Sequence, residues 1–352
     1  MTATIRDVAA KAGVSFQLAS AVLGGKKYAR ASEATRGRIV AAASELGYVP
    51  NASARILRGD ASRIIGVLID SRAPESTFSI LAEFEQAAAS RGYRILIAQA
   101  HDDPGKLLES YKSLKQNGVD GIVSFAHDYP LQNCHLDQLL KDDPRIVYIL
   151  NSIDSDPNGS YVDADIAGGM KTAVGHLLEN GYRKPALLLL NRSSEKLTGS
   201  IKKRIDGFQT CAPSGAQVFC LSCNELDSGT VSEICRRLIS EKFIPGRIDS
   251  VIAQNDNLAA ILMKELLAAG IRIPQDIGLV GWDNLLIGQC LPVTLTSLYF
   301  DRKQLAGFAL QLLLDKIGGH SDPVRECFPM NLVVRESTRR NSGMNDKKQA
   351  HK

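Results

Sequence analysis

From Arg63 onward, short apolar runs rich in β-branched residues alternate with amphipathic stretches of helical length. Strands that are apolar along their whole length are typical of parallel sheets that helices cover on both faces. The predicted strands are 64–69, 95–98, 121–125, 146–150, 186–190, 218–221, 250–253 and 278–282. The predicted helices are 80–91, 107–117, 167–180, 231–241, 258–269 and 302–316. The pattern therefore predicts an α/β fold of two doubly wound parallel sheets, with a ligand crevice at the carboxyl ends of the strands.

A different pattern, three short helices, occupies the first 50 residues. Thr4 can cap the first helix, Gly13 ends it, and Ser15 can cap a second helix that runs to Leu23. Ser32 can cap the third helix. Two helices joined by a turn that contains glycine form a helix-turn-helix arrangement. The residues expected to face inward on the third helix are Ile39, Val40, Ala43 and Leu46.

The formal net charge of +4 is unevenly distributed along the chain. Residues 1–63 hold ten Lys or Arg and four acidic residues, and residues 338–352 hold five basic residues and one acid. The rest of the chain is therefore mildly acidic. A basic segment that coincides with a helix-turn-helix favours binding to nucleic acid over a solvated basic face, the alternative that charge alone leaves open.

These patterns divide the chain into four segments. We predict a helix-turn-helix headpiece over residues 1–49 and a hinge helix or linker over residues 50–62. A bilobed ligand-binding and dimerisation domain would follow over residues 63–337, and a disordered basic tail over residues 338–352. The tail has no leucine heptads, which favours a dimer over a tetramer.

Polar residues follow several predicted strands, whereas motifs for catalysis are absent. The sequence contains no nucleophile elbow, zinc-protease motif, Walker loop or dinucleotide fingerprint. Asn255-Asp256-Asn257 follows one strand, Asp283-Asn284 follows another beside Trp282, and Asp163 and Asp165 follow a strand at Tyr161. Such groups can bind a hydroxyl-rich ligand in the crevice, although each of them alone can equally be a helix N-cap.

The same residues resemble a known family. The runs TIRDVAAKAGVS and SEATRGRIVAAASELGYVPN resemble the headpiece of LacI/GalR-family (lactose-repressor-type) transcriptional regulators. The runs SRIIGVLI, GVDGIV, AGGMKTAVGHLLENGYRKPALL, RIDGF, AQNDNLA, IPQDIGLVGWDN and NLVVREST resemble their effector domain. The match runs from about residue 4 to residue 338, and it implies a bilobed effector domain like that of periplasmic binding proteins.

This resemblance implies DNA contacts for particular residues. Gln17 and Phe16 would read base edges from the second helix, and Leu57 of the hinge would wedge into the minor groove. Ala21 stands where relatives have an arginine, so the operator is expected to differ at the matching base pair. The full set of predicted DNA-binding residues is Thr4, Ser15, Phe16, Gln17, Ser20, Lys26, Lys27, Arg30, Arg36, Tyr48, Asn51, Ala54, Arg55, Leu57 and Arg58.

The resemblance also implies a ligand site in the crevice. Arg204 matches the family's ligand-clamping arginine, and Asp256 and Asp283 match its ligand-binding acids, with Trp282 where Phe or Tyr is usual. The first lobe matches the family poorly. The full set of predicted ligand-binding residues is Ser71, Phe78, Ser79, Asp165, Arg204, Asp256, Trp282 and Asp283.

We therefore predict a cytoplasmic, nucleoid-associated transcriptional regulator, a repressor that binds a pseudo-palindromic operator as a homodimer. Its effector is predicted to be a small polar molecule, sugar-like or nucleoside-like. We expect no enzymatic activity, no cofactor, no metal and no contact with membranes. A solute-binding protein of the same fold would need a signal peptide in place of a headpiece, and a hydrolase or kinase would need a nucleophile, a metal or a phosphate loop.

Overall fold

The computed structural model divides the chain into two compact units, Met1–Ser62 and Arg63–Lys352. We call the first unit the headpiece and the second the body, and we describe each by itself. The structure describes residues 3–24, 30–48, 61–70, 73–99, 104–125, 143–150, 159–191, 197, 199–223, 227–320 and 322–340.

Three helices form the headpiece: α1 (Ile5–Ala12), α2 (Phe16–Leu23) and α3 (Glu33–Glu45). A capping box between Thr4 and Asp7 starts α1, and Gly13 ends it with a φ of 63°, a left-handed conformation that glycine adopts without strain. Helix α2 ends at Leu23, as the sequence predicted. The headpiece core consists of Val8, Ala9, Ala12, Ala19, Ile39, Ala42 and Ala43.

One expectation about this core was wrong. Val40 is 56% exposed, although we expected it to face inward. Ile39 is fully buried, and a neighbour along a helix is rotated by about 100° about the axis. Ile39 and Val40 therefore cannot both face the small core of a three-helix unit.

The first lobe of the body is built on a six-stranded sheet. Its strands are β1 (Ile64–Ile69), β2 (Arg94–Gln99), β3 (Gly121–Ser124), β4 (Ile146–Ile149), β5 (Tyr161–Ala164) and β11 (Arg325–Phe328). They lie in the order β11-β5-β4-β3-β1-β2, and all neighbouring strands are parallel.

The second lobe is built on another six-stranded sheet. Its strands are β6 (Pro185–Asn191), β7 (Gln217–Ser222), β8 (Ser250–Ala253), β9 (Gly278–Trp282), β10 (Thr296–Tyr299) and β12 (Asn331–Val333). They lie in the order β12-β10-β9-β8-β6-β7, and only the edge pair β10–β12 is antiparallel. Two parallel-dominated sheets confirm the predicted fold class.

Helices connect the strands of the body and bury their apolar faces against the sheets. They are α4 (Glu75–Ser90), α5 (Pro104–Gln116), α6 (Ile166–Glu179), α7 (Gly199–Cys211), α8 (Ser228–Leu238), α9 (Asp256–Ala268) and α10 (Arg302–Ile317). Shorter helical turns are Ile239–Phe243, Ile244–Gly246, Ile287–Cys290 and Glu336–Thr338. Since a helix follows the carboxyl end of most strands, the helix N-termini gather at the edge where the crevice was predicted.

The described part of the body extends past the start of the predicted tail. Thr338 is fully buried, and its hydroxyl lies 2.8 Å from Nε2 of His176 and 2.7 Å from the hydroxyl of Thr296. The guanidinium of Arg340 lies 3.9 Å from the ring centroid of Tyr182. Residues 338–340 therefore belong to the body, which corrects the predicted boundary. Residues 341–352 lie outside the described residues.

Candidate functional site

The N-terminus of α2 presents two side chains to solvent. The hydroxyl of Ser15 accepts a hydrogen bond from the backbone N–H of Leu18 over 3.2 Å and so caps the helix. The next two residues, Phe16 and Gln17, are exposed, and Phe16 is exposed by 44%. Ala19 packs into the core on the opposite face. An apolar ring and an amide beside a helix N-terminus can contact thymine methyl groups, adenine edges and phosphates.

Other predicted DNA-binding residues surround α2 in the headpiece. The Thr4 hydroxyl donates to the Asp7 carboxylate over 2.8 Å, and the backbone and hydroxyl hydrogen bonds of Thr4 lower the pKa of Asp7. Arg30 is exposed, whereas Ser20, Arg36 and Tyr48 are half-buried. The predicted DNA-binding residues that lie outside the described residues are Lys26, Lys27, Asn51, Ala54, Arg55, Leu57 and Arg58.

The body contains a cleft of about 320 Å³ between the carboxyl edges of its two sheets. The start of α4 contributes one wall, and the ends of β6 and β9 together with α8 and α9 contribute the other. The lining residues are Ala73, Pro74, Glu75, Phe78, Leu190, Val231, Asn255, Asn257, Leu258, Ile261, Asp283 and Leu285. Mostly apolar walls with a few convergent carboxylates and amides are typical of small-molecule sites.

Asp283 lines this cleft in an unusual backbone conformation. It follows β9, it is 7% exposed, and its φ is 98°. The backbone N–H of Asp283 donates to the carbonyl of Leu298 over 2.7 Å, and the carbonyl of Asp283 accepts from Nη2 of Arg302. A positive φ is costly for a residue with a side chain, so these partners must hold Asp283 in place.

Arg204 and Trp282 form a stacked pair next to Asp283. The guanidinium of Arg204 lies 4.0 Å from the ring centroid of Trp282, which is 2% exposed. Nη1 of Arg204 also donates to the carbonyl of Gln254 over 2.5 Å. Arg204 therefore connects the ends of β8 and β9, and its cation–π contact fixes the plane of the guanidinium.

Asn255 and Asp256 play different parts at the end of β8. The side chain of Asn255 accepts from the N–H of Leu258 over 2.8 Å, which caps α9, and Asn255 lines the cleft. Asp256 does not line the cleft: it is fully buried, and Ser297 and Leu285 donate to its two carboxylate oxygens. The structure thus brings Asn255, rather than the predicted Asp256, to the cleft wall.

The first lobe contributes fewer of the predicted ligand-binding residues. Phe78 is 38% exposed and lines the cleft beside Glu75, which the sequence did not single out. The hydroxyl of Ser79 donates to the carbonyl of Glu75 over 3.1 Å. Asp165 caps α6 by accepting from the N–H of Gly168 over 2.8 Å. Ser71 lies outside the described residues.

The geometry therefore keeps Phe78 and Asp283 in the cleft wall, places Arg204 and Trp282 beside it, and adds Asn255. The sequence places Asn255 after a predicted strand, although the predicted ligand-binding set does not include it; Asn255 lies two residues past β8 and caps α9 at the sheet edge. Within the part of the chain that the structure describes, no three His, Cys, Asp or Glu side chains could hold a metal ion together. In the same part, no helix is long and apolar enough to cross a membrane.

Two family models match the chain. The model of bacterial regulatory proteins of the lacI family matches residues 4–51, and that of the periplasmic binding protein-like domain matches residues 174–338. The HTH-type transcriptional repressor PurR of Photobacterium profundum is 26% identical over 342 residues, 96% of this chain and 99% of that protein. PurR of Vibrio vulnificus is 27% identical over 342 residues, with the same coverage of both chains.

Solved structures share the fold. A lac repressor dimer bound to operator and the anti-inducer ONPF superposes with a TM-score of 0.82 at 23% identity, covering 96% of this chain and 99% of that chain. The complex of the transcriptional regulator CelR with cellobiose gives a TM-score of 0.65 at 24% identity, covering 95% and 99%. A LacI family transcriptional regulator from Lactobacillus casei with bound glucose gives 0.63 at 20% identity, covering 78% and 99%.

Proposed function

The chain belongs to the lacI family of bacterial regulatory proteins, and we propose that it is a repressor that binds a pseudo-palindromic operator as a homodimer. The observation that carries this proposal is the exposed pair Phe16 and Gln17 at the capped N-terminus of α2. In a helix-turn-helix, the residues at this place contact base edges in the major groove. A regulator of this kind works in the cytoplasm, on the nucleoid.

Four side chains of the headpiece take roles that their chemistry allows. Gln17 pairs with an adenine edge, Phe16 packs on a thymine methyl, and the exposed Arg30 and the half-buried Arg36 contact phosphates. The roles of residues outside the described ranges rest on the sequence resemblance, with Leu57 as the minor-groove wedge. The other residues proposed to contact DNA are Thr4, Ser15, Ser20, Lys26, Lys27, Tyr48, Asn51, Ala54, Arg55 and Arg58.

Exposed apolar side chains of the body support the homodimer. Ile97 on the edge strand β2 is 44% exposed, and Ile244 and Leu286 are 59% and 72% exposed. An edge strand with exposed apolar side chains is a site where another chain can pack. Two headpieces related by a two-fold axis would bind the two halves of a pseudo-palindromic operator.

We propose that the cleft binds a small polar effector, sugar-like or nucleoside-like. The carboxylate of Asp283 and the amide of Asn255 provide hydrogen bonds to hydroxyl or amino groups, and Phe78 provides an apolar surface for a ring. Arg204, held on Trp282, would clamp the ligand from beside the cleft. The regulators solved with cellobiose and glucose support a sugar. Effector and operator then change each other's affinity by the same factor.

The DNA-binding proposal is tested with the full chain and a pool of random DNA duplexes. Selection should yield a pseudo-palindromic site whose affinity falls steeply with salt, by a slope of about 0.9 in log–log units per neutralised phosphate. Gln17→Ala should relax the base preference at one position in each half-site. Val40→Ala, which shortens an exposed side chain of α3, is the control and should keep the preference. Binding without sequence preference would overturn the proposal.

The effector proposal is tested through Trp282, the only tryptophan of the chain. Sugars and nucleosides are screened by the change in its fluorescence, and each hit is then added to the protein–DNA complex. Asp283→Asn should weaken the binding of a hit, whereas Asp206→Asn, which removes the same charge from an exposed position on α7, should not. Equal affinities in both variants would remove Asp283 from the site. Turnover of a hit by the pure protein would favour an enzyme instead.

A further inference from the structure

Behind the cleft wall, a fully buried carboxylate binds the segment that follows β9. The hydroxyl of Ser297 donates to Oδ1 of Asp256 over 2.6 Å, and the backbone N–H of Leu285 donates to Oδ2 over 2.5 Å. Ser297 is itself fully buried, on β10. Both oxygens of Asp256 therefore have short, charge-assisted hydrogen bonds inside the second lobe.

Ser297 extends this contact to a second backbone amide. Its hydroxyl oxygen accepts from the N–H of Asn284 over 2.9 Å while its hydrogen points to Asp256. Asp256 thus binds Leu285 directly and Asn284 through one hydroxyl. Asn284 and Leu285 are the two residues that follow Asp283, so the carboxylate fixes the backbone immediately after the polar side chain in the cleft.

The segment needs such support because its backbone conformation is rare. The φ angles of Asp283 and Asn284 are 98° and 49°, and neither residue is glycine. Two consecutive residues with positive φ persist only where the surroundings hold them. Nη2 of Arg335 also donates to Oδ1 of Asn284 over 2.6 Å, so a residue of the C-terminal region contacts the same segment.

The strand next to Asp256 is shaped to admit the carboxylate. A Cβ atom at Gly281 of β9 would overlap Oδ1 of Asp256, so only glycine leaves room for it there. Burial raises the pKa of Asp256 to about 6, whereas the hydrogen bonds from Ser297 and Leu285 lower it and the nearby charge of Asp283 raises it. Burial of a carboxylate costs hydration free energy, which an apolar side chain of similar size would not lose at this position.

We infer that Asp256 is a positioning residue of the effector site: through Ser297 and Leu285, it holds the segment from Asp283 to Leu285 so that the Asp283 side chain faces the cleft. The inference rests on the proposed function in one respect, namely that Asp283 binds the effector. In this arrangement the carboxylate of Asp283 contacts the ligand, whereas the carboxylate of Asp256 does not contact the ligand and only positions the segment.

The test is amide hydrogen–deuterium exchange in the full chain, and it requires neither ligand nor DNA. Ser297→Ala removes the hydroxyl that connects Asp256 to Asn284. The amides of Asn284 and Leu285 should then exchange about ten-fold faster, the factor that corresponds to the loss of one buried hydrogen bond. Fluorescence of Trp282 should shift to longer wavelength, because the ring directly precedes the released segment.

Two further variants keep the test decisive. Asp256→Ala should speed exchange at the same two amides, so the prediction does not depend on one variant alone. Ser250→Ala is the matched control: Ser250 is also fully buried on a strand of this sheet, but its hydroxyl donates to Asp249 at the opposite end. This control should leave the segment from Asp283 to Leu285 and the emission of Trp282 unchanged.

Unchanged protection of Asn284 and Leu285 in both Ser297→Ala and Asp256→Ala would overturn the inference. Faster exchange spread evenly over the second lobe would overturn it as well, because that result indicates a general structural role. Failure to bind operator or effector would contradict the proposed function and leave the exchange result standing, so the two failures are distinguishable.

Discussion

Deleting residues 338–352 should destabilise the body, whereas deleting residues 341–352 should leave its stability unchanged. The difference lies in the C-terminal clasp, by which we mean Thr338 to Arg340. The hydroxyl of Thr338 lies 2.8 Å from Nε2 of His176, and it is fully buried. The guanidinium of Arg340 lies 3.9 Å from the ring centroid of Tyr182. None of these contacts involves residues 341–352.

The size of the effect follows from these contacts. Loss of the Thr338 hydroxyl leaves Nε2 of the half-buried His176 without this partner, at a cost of about 1–2 kcal/mol. Loss of Arg340 removes a cation–π contact at the surface, worth about 0.5–1 kcal/mol. The longer deletion should therefore cost about 1.5–3 kcal/mol, which corresponds to a decrease in Tm of about 3–6 °C at roughly 2 °C per kcal/mol for a domain of this size.

Thermal unfolding at pH 7.5, followed by circular dichroism, measures this difference. Thr338→Val keeps the shape of the side chain and removes only the hydroxyl, so it should account for roughly half of the loss. The deletion of 341–352 is the control for shortening the chain. Equal Tm values for the two deletions would refute the view that the clasp is part of the folded body.

Three further predictions follow from single contacts. Burial lowers the pKa of His176 below its ordinary 6.5, so its unfolded state binds a proton more readily than its folded state. Stability should therefore fall as the pH drops through this region, and His176→Gln should flatten that part of the pH profile of Tm. A Cβ at Gly278 would overlap the buried ring of Tyr182, so Gly278→Ala should lower the free energy of unfolding in urea by about 1–3 kcal/mol. A Cβ at Gly307 in α10 would have no heavy atom from outside its own helix turn within 4 Å, so Gly307→Ala should raise that free energy by about 0.5–1 kcal/mol. Ile97→Asp on the exposed edge strand should weaken the proposed homodimer at least about ten-fold in sedimentation equilibrium; an unchanged dimer would show that this edge is not the interface.

Six of the eight strands that the sequence predicted are buried along nearly their whole length, and the other two, β2 and β7, are edge strands with exposed or half-buried residues. Every residue of Pro185–Asn191 is buried, and such runs are visible without any knowledge of their neighbours. The missed strands are short and lie at or near sheet edges. Arg325–Phe328 has one buried residue, and it is a strand because it pairs with β5, more than 150 residues earlier in the chain. Local periodicity contains no signal for a strand of this kind.

At Asn255 and Asp256, the sequence likewise predicts only part of the structure of the cleft. Three polar residues after a strand predict polar groups at the sheet edge, and the structure has them there. Which of the residues faces the cleft depends on the start of α9, because each step along a helix turns the side chain by about 100°. The partners of Asp256, Ser297 and Leu285, are 41 and 29 residues away. A motif can therefore predict the place of the site, but not which carboxylate reaches the ligand.

Two polar contacts join the second lobe to the first, and they offer the proposed effector a physical route by which to change the arrangement of the lobes. Arg302 begins α10, which packs on α4 and on strands β3 and β4 of the first lobe, yet it donates to the carbonyl of Asp283 in the second lobe. Lys203 of α7 lies 3.1 Å from the carboxylate of Asp163 at the end of β5 in the first lobe. A ligand that moves Asp283 must therefore move or break a contact with the first lobe. If the proposed effector acts through different affinities for two arrangements of the lobes, the contacts of Arg302 and Lys203 are places where we expect those arrangements to differ.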